Sequence, residues 1–276
     1  MASDRFESTA GEPSIAFERA GQGTPILFLH GVGGNRSAWS GQLDEFSRSH
    51  CAIAIDIRGY GDSDDYEGAL RFEDVVADCE RVLDAVGAER CHFVGLSMGG
   101  LIGQVFICTR PQRLLSATLA DTGTGAAEGR GAQWVEAFLA SRRKPLVEEG
   151  KQPADIAPAL APTLLSAQAS PALVAGAAEA IARLRTDSYL KALEAVPRFA
   201  SAPQLATAAV AVLLPVGAED RLTPPKAARR LAQRFARVQA EVIELAGAGH
   251  LSNIERPQAF NAALRAFIER NESRER

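Results

Sequence analysis

Short, almost uniformly apolar runs alternate along the chain with longer stretches in which apolar residues recur at helical spacing. The runs PILFLHG (25–31), CAIAIDIRG (51–59), CHFVGLS (91–97), LLSATLAD (114–121), VAVLLPVGAED (210–220) and AEVIELAGAGH (240–250) predict buried strands. Strands this apolar imply a sheet covered on both faces. SIAFERAG (14–21) alternates apolar and polar positions and predicts an exposed, antiparallel first strand. Residues 72–86 carry Val75, Val76, Cys79, Val82, Leu83 and Val86 at helical spacing, and Gly87 follows as a stop. A helix is predicted over 98–109, ending before Pro111. Two more are predicted over 225–236 and 257–269, each with proline in its first turn. Strand and helix take turns, which predicts an α/β fold with a doubly wound parallel sheet.

One stretch departs from this rhythm. Residues 126–201 show no strand pattern and are rich in Ala, Leu and Pro. Helices are expected there at 131–141, 154–165, 171–184 and 189–198. The chain then divides into a core, 1–125 and 202–276, and a helical insertion, 126–201. Loops at the carboxyl ends of parallel strands surround the site in such folds, so the insertion reads as a cap. The alternative is a helical layer with no role in access.

Composition narrows the function classes. Of 276 residues, 46% are apolar, ample for a large core. The net charge is −4, from 30 basic and 34 acidic residues without a like-charged block, which argues against a nucleic-acid partner. No apolar run approaches a membrane span, and the polar, acidic opening residues lack the pattern of a signal peptide. Cys51, Cys79, Cys91 and Cys108 show no metal spacing and lie in apolar stretches. The expectation is a cytoplasmic, reduced protein without metal or cofactor. A homo-oligomer is compatible with this composition.

The candidate chemistry starts at VGLSMGGLIG. Gly95-Leu96-Ser97-Met98-Gly99 fits G-x-S-x-G, between a predicted strand and a predicted helix. A reversal that sharp strains its central residue and leaves no room for side chains two positions to either side. Ser97 is thereby displayed as a nucleophile, or else it only caps the helix. Of the four histidines, His50 is expected at the surface and His92 inside a strand, pointing away from Ser97. His250 follows the last predicted strand in a loop of small residues and is the candidate base. Asp220, after the preceding strand, is the candidate orienting acid, preferred to Glu219, with Asp121 in reserve. An oxyanion would take N–H groups from Val32, in HGVGGNRSAW, and from Met98. His30 is expected to brace that loop, and Arg58 with nearby aspartates to pin DIRGYGDSD. Trp39, Trp134, Phe138 and Tyr189 are candidates for lining a substrate pocket, with core packing as the alternative for Trp39.

The ordered segments HGVGG, DIRGYGDS, GLSMGG, GAEDRLTPP and GAGHLSNIERP resemble the α/β-hydrolase superfamily from end to end. The details look most like its enol-lactonase, carboxylesterase and haloperoxidase-like branch. The resemblance implies an eight-stranded, mostly parallel sheet with a helical cap. It also implies a cofactor-free serine hydrolase of a small-molecule ester or lactone, with Ser97, Asp220 and His250 as its triad. Carbon–carbon hydrolases of ring-cleavage products usually carry Asn where this chain has Leu96. Dehalogenases and epoxide hydrolases use Asp where it has Ser97. A carbon–carbon hydrolase, a perhydrolase, a cofactor-free oxygenase and a non-catalytic small-molecule receptor are the competing readings.

Overall fold

The computed structural model describes residues 5–125 and 131–275. The predicted insertion's first five positions, 126–130, lie outside the described residues. In chain order the elements are β1 (Phe6–Ser8), β2 (Ala16–Ala20), β3 (Pro25–Leu29), α1 (Ser40–Phe46), β4 (Cys51–Ile55) and α2 (Phe72–Ala85). Then come β5 (Cys91–Leu96), α3 (Met98–Thr109), β6 (Leu114–Ala120), α4 (Gly131–Val147), α5 (Pro153–Leu160), α6 (Pro171–Ala182) and α7 (Thr186–Arg198). The chain closes with β7 (Val212–Gly217), α8 (Pro225–Ala232), β8 (Glu241–Leu245), α9 (Ser252–Glu255) and α10 (Pro257–Glu275).

The eight strands form one sheet in the order β1-β2-β4-β3-β5-β6-β7-β8. The pairings from β4 to β8 are parallel, while β1–β2 and β2–β4 are antiparallel. The two-residue period of a strand sorts its side chains onto two faces. Leu27, Leu29, Ile53, Ile55 and Phe93 join one core, which also holds Val75, Cys79 and Val82 of α2, Ile102 and Phe106 of α3, and Leu231 of α8. Ile26, Phe28, Ala52, Ala54 and Val94 join the other, with Leu43 and Phe46 of α1 and Phe260, Leu264 and Ile268 of α10. Burying one such Leu, Ile or Phe contributes about 1.5–3 kcal/mol, so covering both faces dominates the stability of the sheet.

Several sequence expectations are corrected. The strand expected at 14–21 is not the outermost, because β1 pairs with it through Phe6↔Glu18 and Ser8↔Ala16. Three residues are too few to display a period, so β1 left no signal. The last strand is not buried throughout: Val242 and Ile243 of β8 are partly exposed and Glu244 is exposed, as befits an edge. His50 is buried rather than at the surface, and its Nδ1 lies 2.8 Å from the Ser49 hydroxyl. His92, by contrast, lies inside β5 as expected, buried with Nδ1 2.7 Å from Ser116 Oγ. Helix α8 stops at Ala232, four residues short of the expected end, whereas α10 runs on to Glu275. The helix expected over 154–165 ends at Leu160 and tightens into a 3-10 turn over Ala161–Leu164. Pro162 there has no N–H for an α-helical bond.

The described part of the insertion is helical and joins β6 to β7. It is anchored over the carboxyl ends of the strands. Arg185 donates from Nε to the Gly59 carbonyl at 2.9 Å and from Nη2 to the Ser63 carbonyl at 2.6 Å. Lys191 Nζ donates to the Tyr66 carbonyl at 2.6 Å, and the Ser201 amide to the Thr124 carbonyl at 2.9 Å. Among the described residues no helix is long and apolar enough to cross a membrane.

Two glycines give opposite predictions. A Cβ at Gly99, in the first turn of α3, would sit 2.3 Å from the Leu29 carbonyl oxygen, a backbone atom that cannot swing aside. A Cβ at Gly176, in α6, would meet nothing within 4 Å. Alanine gains about 1 kcal/mol over glycine in a helix. Overpacking typically costs ~1–3 kcal/mol and wins at Gly99. In urea unfolding, Gly99→Ala is expected to lose stability and Gly176→Ala to gain up to about 1 kcal/mol.

Candidate active site

Five chain segments reach one place at the carboxyl edge of the parallel sheet: the ends of β3, β5 and β6, and the loops after β7 and β8. Ser97 lies between β5 and α3 with φ 56° and ψ −112°, in a region that L-residues rarely adopt. The reversal is crowded on both sides. A Cβ at Gly95 would lie 2.2 Å from the Gly99 carbonyl oxygen, and Gly99 is closed off by the Leu29 carbonyl. The Ser97 amide donates to the Ala120 carbonyl at 2.9 Å, and its carbonyl accepts from the Leu101 amide at 3.1 Å and the Thr122 hydroxyl at 3.0 Å. From 91 to 100, Ser97 alone is not buried. The turn therefore displays the serine.

His250 Nε2 lies 2.8 Å from Ser97 Oγ, and His250 Nδ1 lies 2.8 Å from Asp220 Oδ2. An ionised carboxylate can only accept, so Nδ1 carries the proton and Nε2 turns its lone pair to the serine. Asp220 Oδ1 accepts from the amides of Leu222 and Thr223, at 2.8 and 3.0 Å. The Thr223 hydroxyl lies 2.7 Å from Asp220 Oδ2 and 2.8 Å from the Asp121 carbonyl. Burial pushes the Asp220 carboxyl up, but hydrogen bonds from His250 and Thr223 outweigh it and hold it below the ordinary carboxylate value. Burial likewise pulls His250 down. The bond and charge of Asp220, with the charges of Asp121 and Glu255, raise it overall.

Asp121, the reserve acid, does not bond to the imidazole. It sits fully buried at φ 46° and accepts from the Gly217 amide at 2.8 Å and the Ser252 hydroxyl at 2.5 Å. Burial, with the nearby Asp220 charge, pushes its carboxyl up to about 7. Glu219, the rejected alternative, is also elsewhere, with Oε2 3.3 Å from the Ala167 amide.

Gly31 packs against Ser97: a Cβ there would lie 3.1 Å from Ser97 Cβ. Val32 follows within a turn closed by the Gly34 amide on the Gly31 carbonyl at 3.2 Å. Met98 opens α3, where first-turn N–H groups have no intrahelical acceptor. His30 uses both ring nitrogens structurally. Nδ1 lies 2.8 Å from the Gly31 carbonyl, and Nε2 accepts from the Ile57 amide at 3.1 Å. The DIRGYGDSD loop is pinned as expected. Arg58 forms a two-pronged bridge to Asp78 at 2.7 and 2.9 Å, and buried Asp56 holds the Arg36 guanidinium and the Asp62 amide.

The aromatic candidates separate. Trp39 does not line a pocket. It is fully buried on the α1 and α10 side of the sheet, 5.1 Å from the Phe28 ring and 6.1 Å from Phe260. The indole is part of the core that Phe28, Phe46 and Phe260 share on that face. Trp134 and Phe138, one turn apart on α4, stack on each other at 5.2 Å, and Arg142 lies over the Phe138 ring. Tyr189 is buried with Leu146 and Leu193 in a cluster that Val32 borders.

Two contributors escaped the sequence reading. Thr223, three residues after Asp220, has the spacing at which a main-chain amide returns to an Asp side chain, a legible signal. Glu255 looks like a surface acid in HLSNIERP, yet it is buried and bonded to the amides of Gly249 and Ser166. Among the described residues no group of three or more His, Cys, Asp or Glu side chains could hold a metal ion.

Known proteins are similar to this chain over most of its length. The chain is 29% identical over 271 residues to 3-oxoadipate enol-lactonase 2 of Acinetobacter baylyi, covering 95% of this chain and 96% of that protein. It is 28% identical to a putative carbamate hydrolase, RutD, of Azorhizobium caulinodans, covering 93% and 96%. The crystallised thermophilic esterase of Thermogutta terrifontis superposes with a TM-score of 0.83 at 25% identity, covering 96% and 98%. A family model described as the alpha/beta hydrolase fold matches residues 24–257. With that match spanning most of the sheet and every strand end that meets at Ser97, the chain belongs to the alpha/beta hydrolase family.

Proposed function

We propose that this protein hydrolyses a carboxylic ester or lactone of a small molecule through an acyl-enzyme on Ser97. The observation that carries the reading is the unbroken chain from Ser97 Oγ to His250 Nε2 and from His250 Nδ1 to Asp220, each link 2.8 Å. His250 takes the Ser97 proton as Oγ attacks the carbonyl carbon. The amides of Val32 and Met98 receive the oxyanion, and collapse releases the alcohol with the proton from His250. Water, deprotonated by His250, then splits the acyl-enzyme. Asp220 holds the imidazole tautomer and balances its charge. In a lactone the alcohol stays tethered, so one hydroxy acid leaves. The helical insertion 126–201 acts as the cap, and Tyr189, with Trp134 and Phe138, faces the acyl or alcohol group. Relatives named for lactone, carbamate and ester hydrolysis support acyl transfer to water.

A p-nitrophenyl ester assay tests the reading. Ser97→Ala is expected to lower kcat by about 10⁴-fold or more, with the protein still folded. Unchanged turnover in that variant would sink the acyl-enzyme. A panel of lactones, linear esters and ring-fission ketones then ranks the substrates. The pH profile gives a second expectation. The base must be neutral, and the folded His250 holds its proton more tightly than free imidazole. The acidic limb of kcat/KM should therefore fall at a pH above the usual histidine value of about 6.5. A limb below that value would contradict the charge arrangement around His250.

A further inference from the structure

The insertion and the His250 loop are joined at a buried carboxylate. Glu255 ends the short helix α9 and is 8% exposed. Its Oε1 accepts from the Gly249 amide at 2.7 Å and its Oε2 from the Ser166 amide at 2.8 Å. One of these residues precedes His250, and the other belongs to the insertion between Leu165 and Ala167. The two strands of chain are in close contact: a Cβ at Gly249 would lie 2.6 Å from Leu165 C and Ser166 N. The His250 amide donates to the Leu164 carbonyl at 2.8 Å, and Glu219 Oε2 reaches the Ala167 amide at 3.3 Å. Residues 164–167 thus form a strap against the loop that carries the imidazole.

We propose that Glu255 is a positioning residue for His250, a bridge that sets the imidazole's place against the strap of the cap. The proposal rests on the ester-hydrolysis reading. A carboxylate at this point is unusual, since no cation pairs with Glu255 among the described residues and both of its bonds come from main-chain amides. A buried carboxylate is normally matched by an opposite charge. Here its charge faces His250, together with Asp220 from the loop after β7 and Asp121 from the end of β6, while Ser97 and Thr223 offer neutral hydroxyls. The backbone of His250 is consequently held from two sides, by Glu255 through Gly249 and by Leu164 directly. Its ring is held by Asp220. The bridge through Glu255 joins the insertion to the residue before His250 by way of a buried ionisable side chain. Glutamine cannot replace it, because the amide group presents one acceptor where two donors converge.

The test compares Glu255→Gln, Glu255→Asp and Glu219→Ala with the parent enzyme. The readouts are kcat and KM for p-nitrophenyl esters, melting temperature, amide exchange at Gly249 and Ser166, and NMR titration of the His250 ring. Glu255→Gln is expected to lose about 10- to 100-fold in kcat, with KM within about twofold. Both amides should exchange faster, and the ring should titrate at lower pH because a negative charge beside it is gone. Glu255→Asp keeps both acceptors and should restore part of kcat. Glu219→Ala frees only Ala167 and should keep kcat within about twofold of the parent. Parental kcat and titration in Glu255→Gln would overturn the proposal. So would equal losses in the Glu219 variant, which would mark simple anchoring of the cap. A fall in melting temperature and kcat that Asp does not restore would mark Glu255 as structural only. Exchange and titration need no substrate, so they judge Glu255 even if Ser97→Ala retains activity and the ester reading fails.

Discussion

The reversal of the chain at Ser97 is the constraint on which the rest of the site depends. Main-chain oxygens of Gly99 and Leu29 occupy the space where side chains at Gly95 and Gly99 would go. A turn packed against backbone on both sides cannot relax by moving a rotamer. The positive φ at Ser97 is therefore maintained by β3, β5 and α3 together, and the strain is held by the buried sheet. The same close approach brings Gly31 against Ser97 and leads the following loop past the serine. Ser97 and the loop after β3 are positioned by one packing event.

Charge is the second organising principle. Three carboxylates, Asp220, Asp121 and Glu255, surround a single imidazole, and each is fed by main-chain or hydroxyl donors. Their environments drive the two aspartates apart. Asp220 bonds to His250 and Thr223 and stays ionised, whereas burial and its charged neighbour bring Asp121 to about 7. Two acids that differ this much can sit close together without sharing a role. Asp220 bonds to the His250 ring, and Asp121 ties the end of β6 to Gly217 and Ser252.

The motifs were legible because each encodes a local backbone demand. Glycines flank Ser97 because carbonyls crowd it, and His30 sits where two loops need one bridging ring. The parallel strands were legible because burial on both faces leaves little room for polar residues. What stayed hidden depends on distant partners. The edge strand β1 is three residues long, and the burial of His50 comes from packing that no local window contains. Trp39 was ambiguous for the same reason: an aromatic residue after a glycine-rich loop reads alike whether it faces a cleft or the core. Glu255 resembled any surface acid, since its two donors are amides, which carry no residue signature.

The anchors of the helical insertion share a property with consequences for descent. Arg185, Lys191, Ser201, Glu255 and His250 all bridge insertion and core through a peptide N–H or C=O on at least one side. Such contacts ask little of the side chain at the receiving position. Substitutions along the inner faces of the insertion's helices can accumulate while its seating on the core persists. The inner faces of the insertion are thus free to vary while the sheet and the turn at Ser97 stay unchanged.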